Sequence, residues 1–416
     1  MKHLSIKQKR IFIVLTLVLL VAMLVAPAAL ANEHAGPPMP VRFATFNASL
    51  NRNNAGDLAA ELAVPGSAQP DVIAEIIQRT RPDVLLINEF DYDPAALAAF
   101  QTNYLSVPHG DAEAIEYPYT FIAPSNTGVY SGFDYDNSGA AGDFVPNDSY
   151  GFGFFPGQFG MAVLSMYPID YDNVRTFQLF KWKDMPGALL PVYPDGTPWY
   201  TPGPELDSFR LSSKSHWDVP IQIGVKTVHF LVSHPTPPVF DGPEDRNGTR
   251  NFDEIRFWAD YVTPGRSGYI YDDQGNSGGI KPGELFVIAG DQNSDPFDGD
   301  SIPGAAQQLI EHPLVNTKVT PDSEGGPEQA ALQDQNNDDH IGDPAFDTAD
   351  FSEASFGGPG NLRADYVLPR KQLQITDAGV FWPATDDPFF YLTGPGFPVV
   401  SSDHRLVWVD VRVPSY

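Results

Sequence analysis

IAGDQNSDP at 288–296 and SSDHRLVWVDV at 401–411 are the two stretches that decide how this chain folds. In the first, Leu285-Phe286-Val287-Ile288-Ala289 reads as a buried strand that runs into Gly290-Asp291 and then Asn293. In the second, Asp403 and His404 stand immediately before the apolar strand Leu406-Val407-Trp408-Val409. The same arrangement recurs along the chain. The strand at 41–46 ends at Asn47, the apolar run Val84-Leu85-Leu86-Ile87 delivers Glu89, the strand at 227–232 ends at Ser233-His234, and the strand at 363–368 carries Asp365. Singly, each of these polar residues has an ordinary reading: Asn47 caps a turn, Glu89 is a solvated loop acid, Asp365 buttresses a hairpin. Together they are informative, because the strand ends of a layered α/β fold converge on one rim.

The intervening segments give the class. Pro70-Asp71 opens a helix whose apolar face is Val72, Ile73, Ile76 and Ile77, and Arg81-Pro82-Asp83 turns the chain into the strand before Glu89. Strand, helix, strand in that order indicates α/β architecture. Gly160 to Ser165 reads as a further strand, Ile221-Gln222-Ile223 pairs with 227–232 as a hairpin, 251–262 has helical spacing, and Val399-Val400 reads as a short strand. Loop-rich insertions are expected at about 124–160, 182–215 and 318–360, in keeping with 40 prolines and 36 glycines. No internal repeat and no linker divides residues 32–416, although length alone suggests two domains.

The first 31 residues read as a signal peptide. Lys2, Lys7, Lys9 and Arg10 precede an apolar run from Ile11 to Val25, and Ala29-Leu30-Ala31 places cleavage before Asn32. A run of about 15 residues is short for a bilayer that needs roughly 20, so a secreted, monomeric protein without a membrane span is expected. Losing four basic residues takes the formal charge from −28 to −32. That charge argues against binding nucleic acid by neutralising many phosphates, and no stable nucleic-acid complex is expected. It leaves open an enzyme that holds one phosphate-ester substrate beside a metal ion. With no cysteines, an exported chain has to hold together by its core and by any bound metal.

Phosphate-ester hydrolysis needs a hard cation, an activated water, and neutralisation of the charge that grows on the oxygens. Glu89, Asp403 and the amide oxygen of Asn47 are hard donors suited to Mg²⁺, Mn²⁺ or Ca²⁺. His404 can take a proton from water if a carboxylate holds its other ring nitrogen, and Asp365 is the natural candidate. His234 can meet a phosphoryl oxygen, and Asp291 with Asn293 can place the nucleophile.

At these residues the sequence resembles the endonuclease/exonuclease/phosphatase superfamily, which includes deoxyribonuclease I-like nucleases, bacterial sphingomyelinases and inositol-polyphosphate phosphatases. The matching segments are ATFNASL (44–50), RPDVLLINEF (81–90), GMAVLSMYPI (160–169), LVSHPTPP (231–238), IAGDQNSDP, RADYVLP (363–369) and SSDHRLVWVDV, in the family's order. The resemblance implies a four-layer α/β sandwich of two packed, mostly antiparallel β-sheets flanked by helices, with one site at the strand-end rim. It implies that Glu89 is the principal metal ligand, Asn47 a metal or phosphate contact, and Asp291 with Asn293 the nucleophile-positioning pair. It implies further that His234 stabilises phosphate, that Asp403 and His404 are the terminal Asp-His, and that Asp365 orients His404. Whether Asp291 or His404 is the base stays open.

Three departures bear on substrate. The loop after His234 carries Arg246 and Arg250, expected either to clamp phosphate or to pair with Glu244, Asp245 or Asp253. The 124–160 insertion lies where the family contacts substrate, and Met166 stands where a basic residue often follows the strand's serine. Asp134-Tyr135-Asp136-Asn137-Ser138-Gly139 opens like a calcium loop, but Val145 occupies the position an EF-hand gives to glutamate. Asp334, Asn336 and Asp338 make a similar half-match; a solvated acidic loop is the expected reading of each, and a structural Ca²⁺ is the alternative. The function expected is a secreted metal-dependent phosphoesterase. The alternatives are an extracellular nuclease and a catalytically inactive calcium-binding module.

Overall fold

Alternation along the strands builds three apolar layers. In strands β1 (Pro40–Asn47), β2 (Val84–Asn88) and β4 (Met161–Ser165), Val41, Phe43, Val84, Leu86, Met161 and Val163 point to one face. Ala44, Phe46, Leu85, Ile87, Ala162 and Leu164 point to the other. The period of two along a pleated strand separates the sets. The first set meets β6 (His216–Ile223), β7 (Lys226–Ser233) and β8 (Leu285–Asp291) of a second sheet, through residues such as Trp217, Phe230 and Val287. Phe43 and Phe230 touch across the gap, with ring centroids 5.5 Å apart.

The computed structural model describes residues 40–333, 337–351, 358–396 and 398–414. The expected signal peptide, with Asp334 and Asn336, lies outside them. One sheet has six strands in the order β12-β13-β1-β2-β4-β3, where β3 is Tyr119–Phe121, β12 is Gln374–Val380 and β13 is Val407–Arg412. The other has five in the order β11-β8-β7-β6-β5, where β5 is Arg175–Thr176 and β11 is Asp365–Pro369. A two-stranded ladder pairs β9 (Ala349–Asp350) with β10 (Asn361–Leu362). Each large sheet contains one parallel pair, β1 with β2 and β7 with β8, and every other pairing within them is antiparallel.

The outer layers follow from the parallel pairs, which need a crossover. Between β1 and β2 runs the helix Ala68–Thr80, which packs Ile73, Ile76 and Ile77 on the outer face of the first sheet. Between β7 and β8 runs the helix Arg246–Val262, which packs Ile255 and Trp258 against Phe286 and Ile288 of the second. Helix, sheet, sheet, helix is the expected four-layer α/β sandwich. Residues 40–414 form one compact unit.

Two local expectations fail. Val399 and Val400 are not strand: Val399 is irregular and about half exposed, Val400 is a bend, and among the described residues no strand pairs with them. The second helix begins at Arg246, ahead of its apolar periodicity, because a polar first turn precedes Asn251. Among the described residues no helix is long and apolar enough to cross a membrane.

Candidate active site

Topology fixes the site. The carboxyl ends of β1, β2, β7 and β8 leave Asn47, Glu89, His234 and Asp291 on one rim. The antiparallel strands β11 and β13 start at that rim, so Asp365 sits opposite Asp291 in register, and Asp403 and His404 lie just before β13. The two sheets are tied there: the Asn47 side chain donates to Asp291 Oδ2 at 3.1 Å, and the Asn88 side chain donates to the Ser233 carbonyl at 3.4 Å. Gly290 is required by this closeness, since a Cβ there would lie 2.0 Å from the Ser233 carbonyl oxygen. Glu89 (φ 57°), Asn293 (φ 50°) and Ser49 (φ 47°) hold left-handed conformations in the rim loops, a strain of about 1–3 kcal/mol each that clusters at functional sites.

His404 sits between two carboxylates. Its Nδ1 is 2.8 Å from Asp365 Oδ2 and its Nε2 is 3.6 Å from Asp291 Oδ2. Thr348 donates to the same Asp365 oxygen at 2.9 Å, Ser402 accepts the His404 amide at 3.1 Å, and the Phe351 ring lies edge-on to the imidazole. Burial works against a charge on His404, but Asp365 and Asp291 outweigh it and hold the ring's pKa well above the ordinary value. Asp291 is pushed up to about 7, first by burial and then by Asp365, against the charge of His404 and the hydrogen bonds from Asn47 and the Asn293 amide. His234 Nε2 lies 3.3 Å from Asp291 Oδ2, and burial, with Lys214 and His404 nearby, keeps this histidine neutral. The Asn293 amide donates to Asp291 Oδ1 at 2.8 Å, and its side chain donates to the Pro235 carbonyl at 3.1 Å.

Glu89 and Asp403 face the same cavity. Burial raises the pKa of Glu89 and the neighbouring charge of Asp403 raises it further, the situation a bound cation relieves. These oxygen donors suit a hard divalent ion, and the chain has no thiolate. The Asn47 amide nitrogen donates to Asp291 and its oxygen accepts the Ser49 amide at 3.3 Å, so the side chain stands on the rim with one oxygen lone pair still open. Asn51, which the sequence did not single out, donates to Glu89 Oε2 at 2.9 Å.

The expected arginine clamp is corrected in part. Arg246 and Arg250 both line the cavity. Arg246 takes its alternative and pairs with Glu244, while Arg250 is buried and donates to the carbonyls of Leu211, Tyr150 and Arg210. Lys214 lines the same cavity and, like Arg250, has no ion-pair partner within 4.0 Å among the described residues, but its ammonium is not tied up by backbone carbonyls as the Arg250 guanidinium is. Burial lowers its pKa, and Glu254, Glu89 and Asp291 only partly offset this. Glu254, fully buried in the long helix, accepts the Ser213 amide at 2.6 Å and the Thr236 amide at 2.7 Å. It thereby holds together the loops that carry Lys214 and His234. No sequence pattern marks Lys214, which stands alone in a serine-rich stretch.

The calcium-like loop brings together Asp134, Asp136 and the unanticipated Asp148, with one oxygen of each within 4.8 Å of the others. These carboxylates accept the amides of Ser138, Gly139, Tyr135 and Gly142, so the loop itself supplies hydrogen-bond donors to them.

No curated protein matches the chain in sequence. Similar solved structures include an endonuclease/exonuclease/phosphatase from Beutenbergia cavernae DSM 12333, at 16% identity over 90% of this chain and 72% of that one, with a TM-score of 0.45. Beta toxin 275-280 from Staphylococcus aureus is 15% identical over 89% of this chain and 99% of that one (TM-score 0.43). Sphingomyelinase C from Streptomyces griseocarneus is 14% identical over the same shares (TM-score 0.42). The model of the endonuclease/exonuclease/phosphatase family matches residues 44–404, from the first rim strand to the terminal histidine, and the chain belongs to that family.

Proposed function

We propose that this protein is an exported, divalent-metal-dependent hydrolase of phosphate mono- or diesters, and that it acts by in-line attack of water. Members of its family are generally metal-dependent hydrolases of phosphoester bonds. The observation that carries the reading for this chain is His404 held between Asp365 and Asp291, beside the facing carboxylates of Glu89 and Asp403. Glu89 and Asp403 are the residues that would hold the cation. When bound, it would supply positive charge against the phosphoryl and leaving oxygens.

The chain's own groups divide the remaining work. Asp291, with a pKa near neutrality and its Oδ1 fixed by the Asn293 amide, takes the proton of the attacking water. His404 keeps its proton and presents an imidazolium to the phosphoryl oxygens, oriented by Asp365. This assignment takes one of the two bases that the sequence left open, because two carboxylates on one imidazole make His404 a poor base near pH 7. Lys214 and neutral His234 face the same oxygens. The pH dependence follows. Since Asp291 must be ionised, kcat/KM is expected to rise with pH through the region around 7. A profile that instead falls across that region reassigns the base.

The test of the reading is hydrolysis of small phosphate mono- and diesters by the purified protein in Mg²⁺, beside duplex DNA. A formal charge of −28 repels a polyanion along its length, whereas a small ester meets Lys214 and the rim. Small esters are expected to give the higher kcat/KM at low salt, and added salt should narrow the gap as the Debye length falls from about 30 Å at 0.01 M to about 10 Å at 0.1 M. Efficient low-salt cleavage of duplex DNA that slows as salt rises makes the protein a nuclease instead.

A further inference from the structure

The cavity that holds the candidate site has a volume of about 1100 Å³, far more than a phosphate needs and at the upper end for a drug-sized ligand. Besides the rim residues it is lined by Tyr135, Phe152, Phe159, Tyr200, Phe209 and Phe240. All six come from the long loops that the strand framework does not require: 124–160, 182–215 and the loop after His234. The inner part of this wall is firmly built. The Tyr135 ring lies tilted against Phe209, with centroids 4.7 Å apart, and edge-on to Tyr200 at 5.7 Å, and all three are nearly solvent-free. At the mouth, Phe152 (50% exposed) packs against Phe144 and Phe154, themselves exposed, with centroids 6.5 and 5.6 Å away, and Phe240 is 86% exposed. Phenyl rings held in water around the opening of a concave site mark a surface with an apolar ligand.

We infer, resting on the phosphoester-hydrolase reading, that the substrate is a phosphoester whose organic part is a bulky, uncharged apolar group. That group is bound as a single molecule against the accessible rings of Phe152, Phe159 and Phe240, in a cavity whose buried lining includes Tyr135, Tyr200 and Phe209. Two observations choose this occupant over others. The wall is concave and reaches into the interior, as Tyr200 and Phe209 show, so it receives one molecule and is not only a surface that lies on others. The same lining contains Asp136, Asp295, Asp298 and Asp300, which disfavour an organic part carrying further phosphates, such as a polynucleotide or a polyphosphorylated polyol. Loops set on a rigid strand framework are where such specificity is built.

The experiment compares hexyl and benzyl phosphate with ethyl and glycerol phosphate, each also as its methyl diester, using the full protein in Mg²⁺. Hexanol and ethanol are nearly equal in acidity, and benzyl alcohol and glycerol are both more acidic, so the pairs compared are hexyl with ethyl and benzyl with glycerol. The apolar esters are expected to exceed the polar ones about tenfold or more in kcat/KM, as apolar pockets discriminate by added methylenes. Phe152→Ala and Phe240→Ala, at exposed positions where the fold tolerates truncation, should each shrink that ratio. Equal kcat/KM for polar and apolar esters overturns the inference and leaves phosphoester hydrolysis standing. Failure to hydrolyse any of these esters overturns the hydrolase reading. In that case calorimetric binding of hexylphosphonate, weakened by Phe152→Ala and Phe240→Ala, still supports the wall, and absence of binding removes it. A preference seen only when a long-chain ester is presented in phospholipid vesicles, with no preference among monomers, overturns the single-molecule occupant in favour of a lipid surface.

Discussion

Asp291→Asn is expected to lower kcat by about 10²–10⁴-fold, the usual contribution of general acid–base help, with little change in melting temperature. The fold should survive because an asparagine oxygen can still accept the Asn293 amide and the volume is unchanged, while its amide nitrogen, now facing the Asn47 donor, costs a modest drop in melting temperature that relief of the buried Asp291 charge offsets. His404→Ala and Asp365→Asn should each produce losses of comparable size, and the two together should cost less than the product of their separate effects. Asp365 acts through His404, as the 2.8 Å contact to Nδ1 requires, so removing the second member of the pair takes away little that remains. The variants also separate the two assignments of the base. If Asp291 is the base, the rise of kcat/KM with pH near 7 vanishes in Asp291→Asn and persists in His404→Ala at reduced amplitude, displaced to higher pH because the His404 charge no longer lowers the Asp291 pKa. The opposite pattern, or a loss below about tenfold for Asp291→Asn, returns the base role to His404. Independent, multiplicative losses for Asp365 and His404 show that Asp365 does not orient the ring.

The parts of this site that were legible in sequence are those whose position follows from local pattern. An apolar run long enough for a strand, ended by one polar residue, places that residue at a strand end. Topology then carries Asn47, Glu89, His234, Asp291, Asp365 and Asp403-His404 to one rim. What was not legible depends on contacts between segments far apart in the chain. Lys214 matters because burial and the loop tie through Glu254 turn it into the cavity, and neither fact leaves a periodic trace. Thr348, which donates to Asp365, lies beside a two-residue strand too short to announce itself. Arg250 misled for the same reason: its neighbours in sequence do not reveal the carbonyls of Tyr150, Arg210 and Leu211 that surround it in space. Strand β12 was missed because it lies at the edge of its sheet with most of its side chains exposed or half-exposed, so it lacks the apolar run that marks central strands.

Removing one carboxylate from the Glu89–Asp403 pair is expected to change stability in opposite directions with and without metal. In EDTA, burial and Asp403 raise the pKa of Glu89 above its unfolded value. A carboxyl raised in this way binds more protons folded than unfolded, so stability falls as pH rises between the unfolded and the folded pKa, and the loss stays in force above both. Glu89→Gln removes that penalty, so in EDTA at neutral pH its melting temperature should exceed that of the unmodified protein. Adding Mg²⁺ or Mn²⁺ should reverse the order. A ligand that binds only the folded state stabilises it by RT ln(1 + [L]/Kd), about 2.7 kcal/mol at a hundredfold excess over Kd, and Glu89→Gln loses most of that gain together with its turnover. Asp403→Asn should move the same way by a smaller amount, because its charge is the second cause, after burial, of the raised Glu89 pKa, and both carboxylates are needed to hold the ion. The measurement is a pair of melting curves for each variant, in EDTA and in Mg²⁺, beside ester hydrolysis under the same conditions. Full activity of the unmodified protein after exhaustive chelation removes the metal from the mechanism. An unchanged Mg²⁺-dependent shift in Glu89→Gln shows that the ion is held elsewhere on the rim. The buried trio of Asp291, Asp365 and His404, whose ligand atoms lie within 4.8 Å of one another, is then the next place to look.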